Sequence, residues 1–258
     1  MSEATGYFRP GTSWLHHRNP VTKLWALLWV LLAAFLLPPL ILAALVVVLA
    51  VVAASTGLLG VLVRSLRVPA VLIASILIVN GLFFPGASQP IATLGPLTLT
   101  REGLAFGLIT AGRVLVAFMA SILFLVTTLA DDLLEALVAR GASHRIAFVI
   151  LSAMQMVPRL SDRAGAILDA QQARGLSVTG SFASRIRALV PLIGPIRLGS
   201  LIDVRERTFA LEARAFGTRR HRTAYRLVPD PPIDRWLRLA IVLGAVGVIV
   251  VAVTGVGR

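Results

Sequence analysis

Two arginines lie in closely similar settings in the C-terminal half of the chain. Arg174 belongs to Leu-Asp-Ala-Gln-Gln-Ala-Arg-Gly, residues 168–175, and Arg214 belongs to Ala-Leu-Glu-Ala-Arg-Ala-Phe-Gly, residues 210–217. Each arginine follows an alanine and precedes a small residue. A guanidinium is a preferred donor to carboxylates and carbonyl oxygens, because its planar fork forms two parallel hydrogen bonds. The repeated pattern therefore predicts binding to an acidic or carbonyl-lined groove on a partner.

The elements that carry these arginines are predicted to be helices. Apolar residues recur at nearly helical spacing in residues 159–174 and 197–214, with a proline such as Pro158 before each and a glycine after it. The alternative is that each arginine only offsets the helix dipole, which favours cations at C-terminal ends. Residues 176–196 are long enough to lead back along the first helix, so we expect both arginine-bearing ends to point the same way.

The other polar residues in unusual places favour structural roles. Arg113 lies within an apolar run, where a charge is costly unless it is satisfied. We predict a structural or partner contact for it, with Asn80 as one candidate, or else snorkelling to the outer interface. Asp131, Asp132 and Glu135 could resemble a metal cluster, but acids suit the first turn of a helix. No catalytic, cofactor-binding or metal-binding residue is therefore predicted.

The composition is that of a membrane protein. Hydrophobic residues make up 57% of the 258 residues and charged residues only 14%, with a mean hydropathy of +0.86. Soluble domains are nearer a quarter charged. There is no cysteine, so disulfides and cysteine-based metal sites are excluded. In a soluble protein, the net charge of +13 would suggest nucleic acid.

Five transmembrane spans are predicted from the apolar runs. Residues 24–63 contain no charge and are long enough for two spans of roughly 20 residues each. Pro38-Pro39 marks the turn between them. Residues 68–84, 103–130 and 239–257 supply the third, fourth and fifth spans.

The distribution of Lys and Arg predicts the orientation. With the N-terminus inside, 22 of these cations lie on the cytoplasmic side and two outside, which the positive-inside rule favours. The C-terminus is then outside, and residues 85–102 form an external loop. The predicted organisation is a cytoplasmic N-terminal segment (1–23), transmembrane helices 1–4 (24–130), a cytoplasmic coupling region (131–236) and a last transmembrane helix (237–258).

Several segments of the sequence, in a consistent order, resemble the motifs of one family. They are SWLHHRNPVTKL (13–24), LTREGL (99–104), VTT (126–128), VPRLSDRAGAILDAQQARG (157–175) and ALEARAFG (210–217). On these segments the sequence is similar to the T component of energy-coupling factor (ECF) transporters, the CbiQ/EcfT family of ABC-type importers. Asn19 and Val21 depart from the family's Asp-Pro-Arg-Thr-Lys segment, and Ala215 replaces the glycine of its second Ala-Arg-Gly motif.

The resemblance implies a coupling role in an importer of a vitamin or a transition-metal ion. A T component lies in the bacterial or archaeal cell (inner) membrane and binds a small membrane S component, which captures the substrate. Two long, crossing cytoplasmic helices dock onto two ABC ATPase subunits, which bind ATP and Mg²⁺; this chain would hold no cofactor and catalyse nothing. The residues implied to dock are Ala173, Arg174, Gly175, Ala213, Arg214 and Ala215.

Two other functions are less compatible with the sequence. A membrane enzyme acting on lipid or phospho-alcohol substrates needs clustered carboxylates for a divalent metal, and this chain has few acids. A nucleic-acid binder needs a recognisable module, and none occurs here. The chain has no phosphate-binding loop for ATP either, so hydrolysis is expected in partner subunits.

Overall fold

The computed structural model describes residues 8–84, 90–94, 97–175, 182–216 and 228–254. Within these ranges the chain is almost entirely helical, with one pair of short strands. In chain order the elements are α1 (Pro20–Leu36), α2 (Pro39–Ser55), α3 (Leu59–Ser65), α4 (Arg67–Phe83), β1 (Pro90–Leu94), β2 (Leu97–Thr100), α5 (Arg101–Thr127), α6 (Ala130–Val138), α7 (His144–Ala173), α8 (Phe182–Ala213) and α9 (Pro232–Thr254).

The chain divides into two compact units. The first unit comprises Met1–Ala136 and Val228–Arg258, and the second comprises Leu137–Leu227. In the first unit, α5 packs against α1, α2 and α4, and α9 packs along α1. The buried core is built from aliphatic side chains and small residues on these helices, with Val116 and Ala53 fully enclosed.

The predicted turn in the first long apolar run is confirmed. The Asn19 side chain caps α1 by accepting a hydrogen bond from the Val21 N–H at 3.0 Å, with Pro20 in the first turn. The helix ends at Leu36 because Pro38 and Pro39 cannot continue its hydrogen bonds, and Pro39 begins α2.

A close approach of backbones joins α4 to α5. Gly103 has no room for a Cβ, because the Asn80 carbonyl oxygen of α4 occupies that position. Gly107 and Ala111 continue the same buried edge of α5 at four-residue spacing. Small residues at this spacing allow helices in apolar surroundings to pack closely.

The loop predicted at residues 85–102 is wrong for its described C-terminal part. Residues 90–94 and 97–100 pair as an antiparallel hairpin, with Leu94 opposite Leu97, and α5 begins at Arg101. The Leu-Thr-Leu-Thr alternation of β2 is typical of a strand, because side chains alternate between the two faces. The proline, glycine and serine residues of this stretch favour a loop, which is why the strands were not predicted.

The count of five spans is not confirmed. Among the described residues, α5 is long and apolar enough to cross a membrane, and α3 with α4 would form a second span if the pair, bent by 51°, is continuous. The apolar helices α1 and α2 have 17 residues each, or about 26 Å at 1.5 Å per residue, slightly less than a bilayer core of about 30 Å.

The second unit contains two long helices, which extend beyond the stretches 159–174 and 197–214 that the apolar spacing indicates. Helix α7 has 30 residues and holds Pro158 in its interior, and α8 has 32 residues. The prediction that Pro158 precedes the start of a helix is therefore wrong. An internal proline removes one backbone hydrogen bond, but the flanking turns remain intact and the helix continues.

Candidate functional site

The first arginine lies at the C-cap of α7. The Arg174 N–H donates to the Gln171 carbonyl oxygen at 3.1 Å, and the Gly175 N–H donates to that of Gln172 at 2.9 Å. Gly175 has a φ of +94°, which glycine adopts without a steric cost. The helix therefore ends at Ala173, one residue before the predicted end at Arg174, and its terminal carbonyls are partly satisfied by the chain reversal.

The second arginine lies at the C-cap of α8 in the same kind of ending. The Ala215 N–H donates to the Glu212 carbonyl oxygen at 2.8 Å, and the Phe216 N–H donates to that of Leu211 at 2.9 Å. These two bonds form a Schellman motif, with Ala215 at the left-handed position and a φ of +53°. Ala215 therefore adopts the left-handed conformation for which the family pattern has glycine.

Both arginines are presented to the surroundings. Arg174 and Arg214 are exposed, as are Ala173, Gly175, Ala213 and Ala215. Within the part of the chain that the structure describes, neither guanidinium has an ion-pair or hydrogen-bond partner. Each thus keeps all five donors available to another molecule.

Helices α7 and α8 run antiparallel. The rings of Phe148, near the start of α7, and Phe216, after the end of α8, lie 4.6 Å apart. Further along, Arg163 of α7 forms an ion pair with Asp203 of α8 at 2.6 Å. Both side chains of this pair are well exposed, so it fixes the register more than it stabilises the unit.

The antiparallel pairing places the two arginines at opposite ends of the hairpin. Arg214 lies level with residue 150 of α7, which is about 36 Å along the helix from Arg174 at 1.5 Å per residue. The prediction that both ends point the same way is therefore wrong. It assumed that residues 176–196 return along α7 before the second helix begins, whereas α8 begins at Phe182.

Sequence reasoning missed a buried polar cluster in the first unit, formed by Arg18, Asn19, Lys23 and Asp234. The Asp234 carboxylate is fully buried and accepts from Arg18 Nη1 at 3.1 Å and from the Asn19 N–H at 2.9 Å. Asn19 Nδ2 also donates to the Pro229 carbonyl oxygen at 3.0 Å. The cluster therefore fastens the start of α1 to the start of α9.

The same N-terminal segment satisfies the end of α5. Lys23 Nζ donates to the Thr127 carbonyl oxygen at 2.7 Å, and the Arg9 N–H donates to that of Val126 at 3.1 Å. Carbonyls in the last turn of a helix lack partners in that helix, and a cation there also suits the helix dipole. The signal in the sequence is the NPVTK segment, residues 19–23, which resembles a family motif but does not by itself reveal these contacts.

His16 organises the loop before this cluster. Its ring nitrogens lie 2.6 Å from Ser13 Oγ and 3.1 Å from the Arg9 carbonyl oxygen. Partial burial lowers the pKa of His16, although its hydrogen bond to Arg9 acts in the opposite direction. Burial thus favours the neutral imidazole, and the two hydrogen bonds make His16 a structural contact of this loop.

The structure does not bring Asn80 and Arg113 together. Asn80 packs against Gly103 and Gly107 and donates from Nδ2 to the Ile76 carbonyl oxygen at 2.8 Å. Arg113 lies about 9 Å further along α5 than Gly107, at 1.5 Å per residue. Its Nε is buried and has no hydrogen-bond partner among the described residues.

The acids after α5 lie at a helix start. Asp131 and Asp132 occupy the first turn of α6, where they complement the helix dipole as predicted. Within the described ranges, no group of three or more His, Asp or Glu side chains is placed to hold a metal ion.

These features define a class of protein: apolar helices of membrane type joined to a charged unit of two long helices. Residues 11–225 match the CbiQ family, described as cobalt transport protein. The chain is 30% identical over 234 residues to the energy-coupling factor transporter transmembrane protein EcfT of Listeria innocua, covering 86% of this chain and 88% of that protein. It is 32% identical over 234 residues to the EcfT of Lacticaseibacillus paracasei, with 86% and 88% covered.

A further relative carries a different description. A putative ABC transporter ATP-binding protein of Bifidobacterium longum is 31% identical over 184 residues, which cover 68% of this chain and 24% of that protein. The chain thus spans about a quarter of that relative and nearly nine-tenths of the two EcfT proteins. The chain belongs to the CbiQ family of membrane transport proteins, which confirms the resemblance seen in its motifs.

Proposed function

We propose that this chain is the transmembrane coupling (T) subunit of an ECF-type ABC importer for a vitamin or a transition-metal ion. In this role it is a multi-pass protein of the cell membrane with a cytoplasmic N-terminus. It binds no cofactor and catalyses no reaction. It transmits the motion of two ABC ATPase subunits, which bind ATP and Mg²⁺, to a separate small S component.

The observation that carries the proposal is the pair of arginine-bearing helix ends. Each end presents an exposed guanidinium beside exposed small residues, so a partner surface can approach the backbone closely. The ends lie about 36 Å apart along a hairpin of two long helices. Two separate grooves on two ATPase subunits fit this spacing, whereas a single groove of ordinary size does not.

The relatives agree with this assignment. Two of them are named energy-coupling factor transporter transmembrane proteins, and the match to this chain covers 88% of each. The match to part of an ABC transporter ATP-binding protein supports a functional connection with an ATPase of that class. The chemistry of the substrate belongs to the S component in this proposal, so this chain's residues do not identify the substrate.

A charge-reversal experiment tests the docking role. The tagged chain is co-expressed in membranes with candidate ATPase subunits, and the ATPase retained on purification is quantified for wild type, Arg174→Glu, Arg214→Glu and the double variant. We expect each single variant to retain about half of the ATPase and the double variant almost none, because reversing a charge leaves like charges facing each other across the contact.

Two matched variants control for the change of charge itself. Arg159→Glu on α7 and Arg205→Glu on α8 reverse exposed arginines that lie away from the helix ends, and they should retain the ATPase at the wild-type level. If the double variant also retains it, or if the control variants lose as much as the helix-end variants, the docking role is wrong.

A further inference from the structure

The chain passes between the two compact units twice. It leaves the first unit after Ala136 and returns to it at Val228. The exit segment comprises the end of α5 and the first turn of α6, and the return segment leads into α9. These two segments are the covalent links through which a movement of α7 and α8 reaches the helices of the first unit.

The exit segment is held by the start of α1. Lys23 Nζ donates to the Thr127 carbonyl oxygen at 2.7 Å, at the last residue of α5. Lys23 is only 7% exposed and Thr127 only 2%. A hydrogen bond with so little water around it is stronger than the same bond at the surface, so it fixes the position of the α5 end.

The return segment is held by the neighbouring residues of the same stretch. The fully buried Asp234 carboxylate accepts from Arg18 Nη1 at 3.1 Å and from the Asn19 N–H at 2.9 Å. Asn19 Nδ2 donates to the Pro229 carbonyl oxygen at 3.0 Å, immediately after the chain has returned. The return segment is therefore held at both its backbone and its side chains.

A further set of contacts extends this arrangement into α9. Arg238 Nη1 donates to Thr22 Oγ1 at 3.1 Å. The same guanidinium donates to both carboxylate oxygens of Asp230, at 2.9 Å and 3.0 Å. Thr22 is 5% exposed, so the start of α1 and the start of α9 meet in a buried polar contact.

Lys23 connects the exit segment to the return segment. Asp132 in the first turn of α6 and Asp234 in the first turn of α9 both act on it as counter-charges. Separating a buried charge from an opposite charge is strongly unfavourable. A displacement of either segment alone therefore deprives Lys23 of one of its two counter-charges.

We propose that residues 18–23, the N-terminal clamp, join the exit and return segments into one mechanical joint. The inference rests on the proposed coupling function, and it names the residues through which the ATPase-driven motion enters the first unit. With the clamp intact, both segments move together and carry α1 and α9 with them. Without it, each segment moves independently, and the motion of α7 and α8 is absorbed in the connections. Lys23 is thus a positioning residue.

Hydrogen exchange of the full chain in nanodiscs tests the joint without any partner. Lys23→Met removes the contact with the exit segment, and Asp234→Asn weakens the contacts with the return segment. For Lys23→Met we expect exchange about tenfold faster at residues 124–127, because one hydrogen bond to a charged group is lost. Exchange at residues 236–239 should also rise, by about threefold, because the two segments belong to one network. Asp234→Asn should show the reverse distribution.

Two controls make the result specific to the clamp. Arg235→Gln removes an exposed contact with Asp230 and should leave exchange in both segments unchanged. Exchange in α4, which contributes no residue to the clamp or to its two segments, reports any general loss of stability. If Asp234→Asn does not fold, Asn19→Ser replaces it, since serine still caps α1 and only the hydrogen bond to Pro229 is lost. Faster exchange confined to each variant's own segment would overturn the joint, and so would an equal rise in α4.

A second measurement separates this joint from the coupling function on which it rests. The chain is purified with its ATPase subunits, and exchange is compared between ADP and ATP with vanadate. In wild type we expect the nucleotide to change exchange at residues 236–239 by about fivefold, the lower end of typical coupling between sites. Lys23→Met should retain the ATPase at the wild-type level and lose most of this change, because its arginine-bearing helix ends are intact.

The outcomes distinguish the two proposals. A full nucleotide response in Lys23→Met would overturn the clamp, because motion would then reach α9 without it, and the absence of any response in wild type would also overturn it. Failure of wild type to retain any ATPase would instead contradict the coupling function. The exchange of the free chain would still show in that case whether the two segments form one joint.

Discussion

At the scale of single residues, the two helix ends show that a motif can keep its geometry while its sequence changes. Gly175 and Ala215 both adopt the left-handed conformation after an arginine C-cap. Only glycine does so without a steric cost, because the Cβ of other L-residues approaches the following carbonyl oxygen. Ala215 keeps the Schellman hydrogen bonds, so its strain is balanced by the rest of the α8 end.

Ala215→Gly should therefore stabilise the end of α8. We expect a gain of about 0.5–1 kcal/mol, because relief of a left-handed alanine exceeds the extra chain entropy of glycine. The measurement is hydrogen exchange of the Ala215 and Phe216 amides, which should slow severalfold at position 216. Ala213→Gly, in the last helical turn, is the matched control and should speed exchange there, since glycine lowers helix stability. Faster exchange in both variants would contradict the assignment of strain to Ala215.

Single residues also show what the sequence could not reveal. The arginine C-caps were predictable, because the helix-ending pattern is local. The burial of Asp234 was not, because its partners Arg18 and Asn19 lie more than two hundred residues away in the chain. In a single sequence a carboxylate next to an apolar run looks like a helix start, and only the fold shows that two donors surround it.

At the scale of elements, the cluster of Arg18, Asn19, Lys23 and Asp234 ties α1, α5 and α9 together at one end of the first unit. Asp234→Asn should destabilise this unit by about 2–3 kcal/mol, because it weakens two charge-assisted hydrogen bonds and leaves Arg18 without its counter-charge. Denaturation in mixed micelles measures the free energy of unfolding.

A neighbouring ion pair provides the control for Asp234→Asn. Arg235 lies 3.8 Å from Asp230, and its side chain is 73% exposed. Arg235→Gln should change the free energy of unfolding by less than about 0.5 kcal/mol, because exposed pairs contribute little. A double-mutant cycle of Asp234→Asn with Arg18→Met should show a favourable coupling free energy between these two side chains.

An Asp234→Asn variant as stable as wild type would mean that the cluster does not hold the helices together.

The lengths of α7 and α8 mark the limit of prediction from local pattern. Proline is a strong helix breaker on average, so Pro158 predicts a helix boundary. The structure carries α7 through Pro158, since the turns on both sides keep their own hydrogen bonds and a helix start costs more than one lost bond. The second helix is also longer than expected: α8 begins at Phe182 rather than at residue 197, which shortens the connection and reverses the expected direction of that helix.

The antiparallel hairpin can be measured directly, because the chain has no cysteine to remove. Spin labels at Gln172→Cys and Glu212→Cys, both exposed, should lie about 30 Å apart by helix rise. Labels at Ala166→Cys and Leu198→Cys, which the register places level with each other, should lie about 10–15 Å apart, near the spacing of packed helices. Equal distances for the two pairs, or a short distance for the first, would contradict the antiparallel arrangement.

At the scale of the whole molecule, the lengths of the apolar helices bear on how many of them cross the bilayer. The apolar runs of the sequence predict five spans, whereas the 17-residue helices α1 and α2 are slightly short for the bilayer core. The position of the turn between α1 and α2 distinguishes two crossing helices from a re-entrant hairpin. If α1 and α2 both cross, Leu40, which is 82% exposed, lies outside; if they form a re-entrant hairpin, it stays within the membrane.

Single cysteines and a membrane-impermeant maleimide on intact cells distinguish these arrangements. We expect Leu40→Cys and Ile91→Cys to be labelled from outside, because Leu40 lies beside the turn between α1 and α2, Ile91 lies in β1 of the predicted external segment, and both are exposed. Thr12→Cys, in the exposed N-terminal segment, should react only after the membrane is permeabilised. Labelling of Ile91→Cys without Leu40→Cys would keep the orientation and reduce the crossings to three, since the first pair would not span. Labelling of Thr12→Cys on intact cells would show that the N-terminus lies outside, opposite to the predicted orientation. The arginine-bearing helices would then face away from cytoplasmic ATPases, and the proposed coupling function would be wrong.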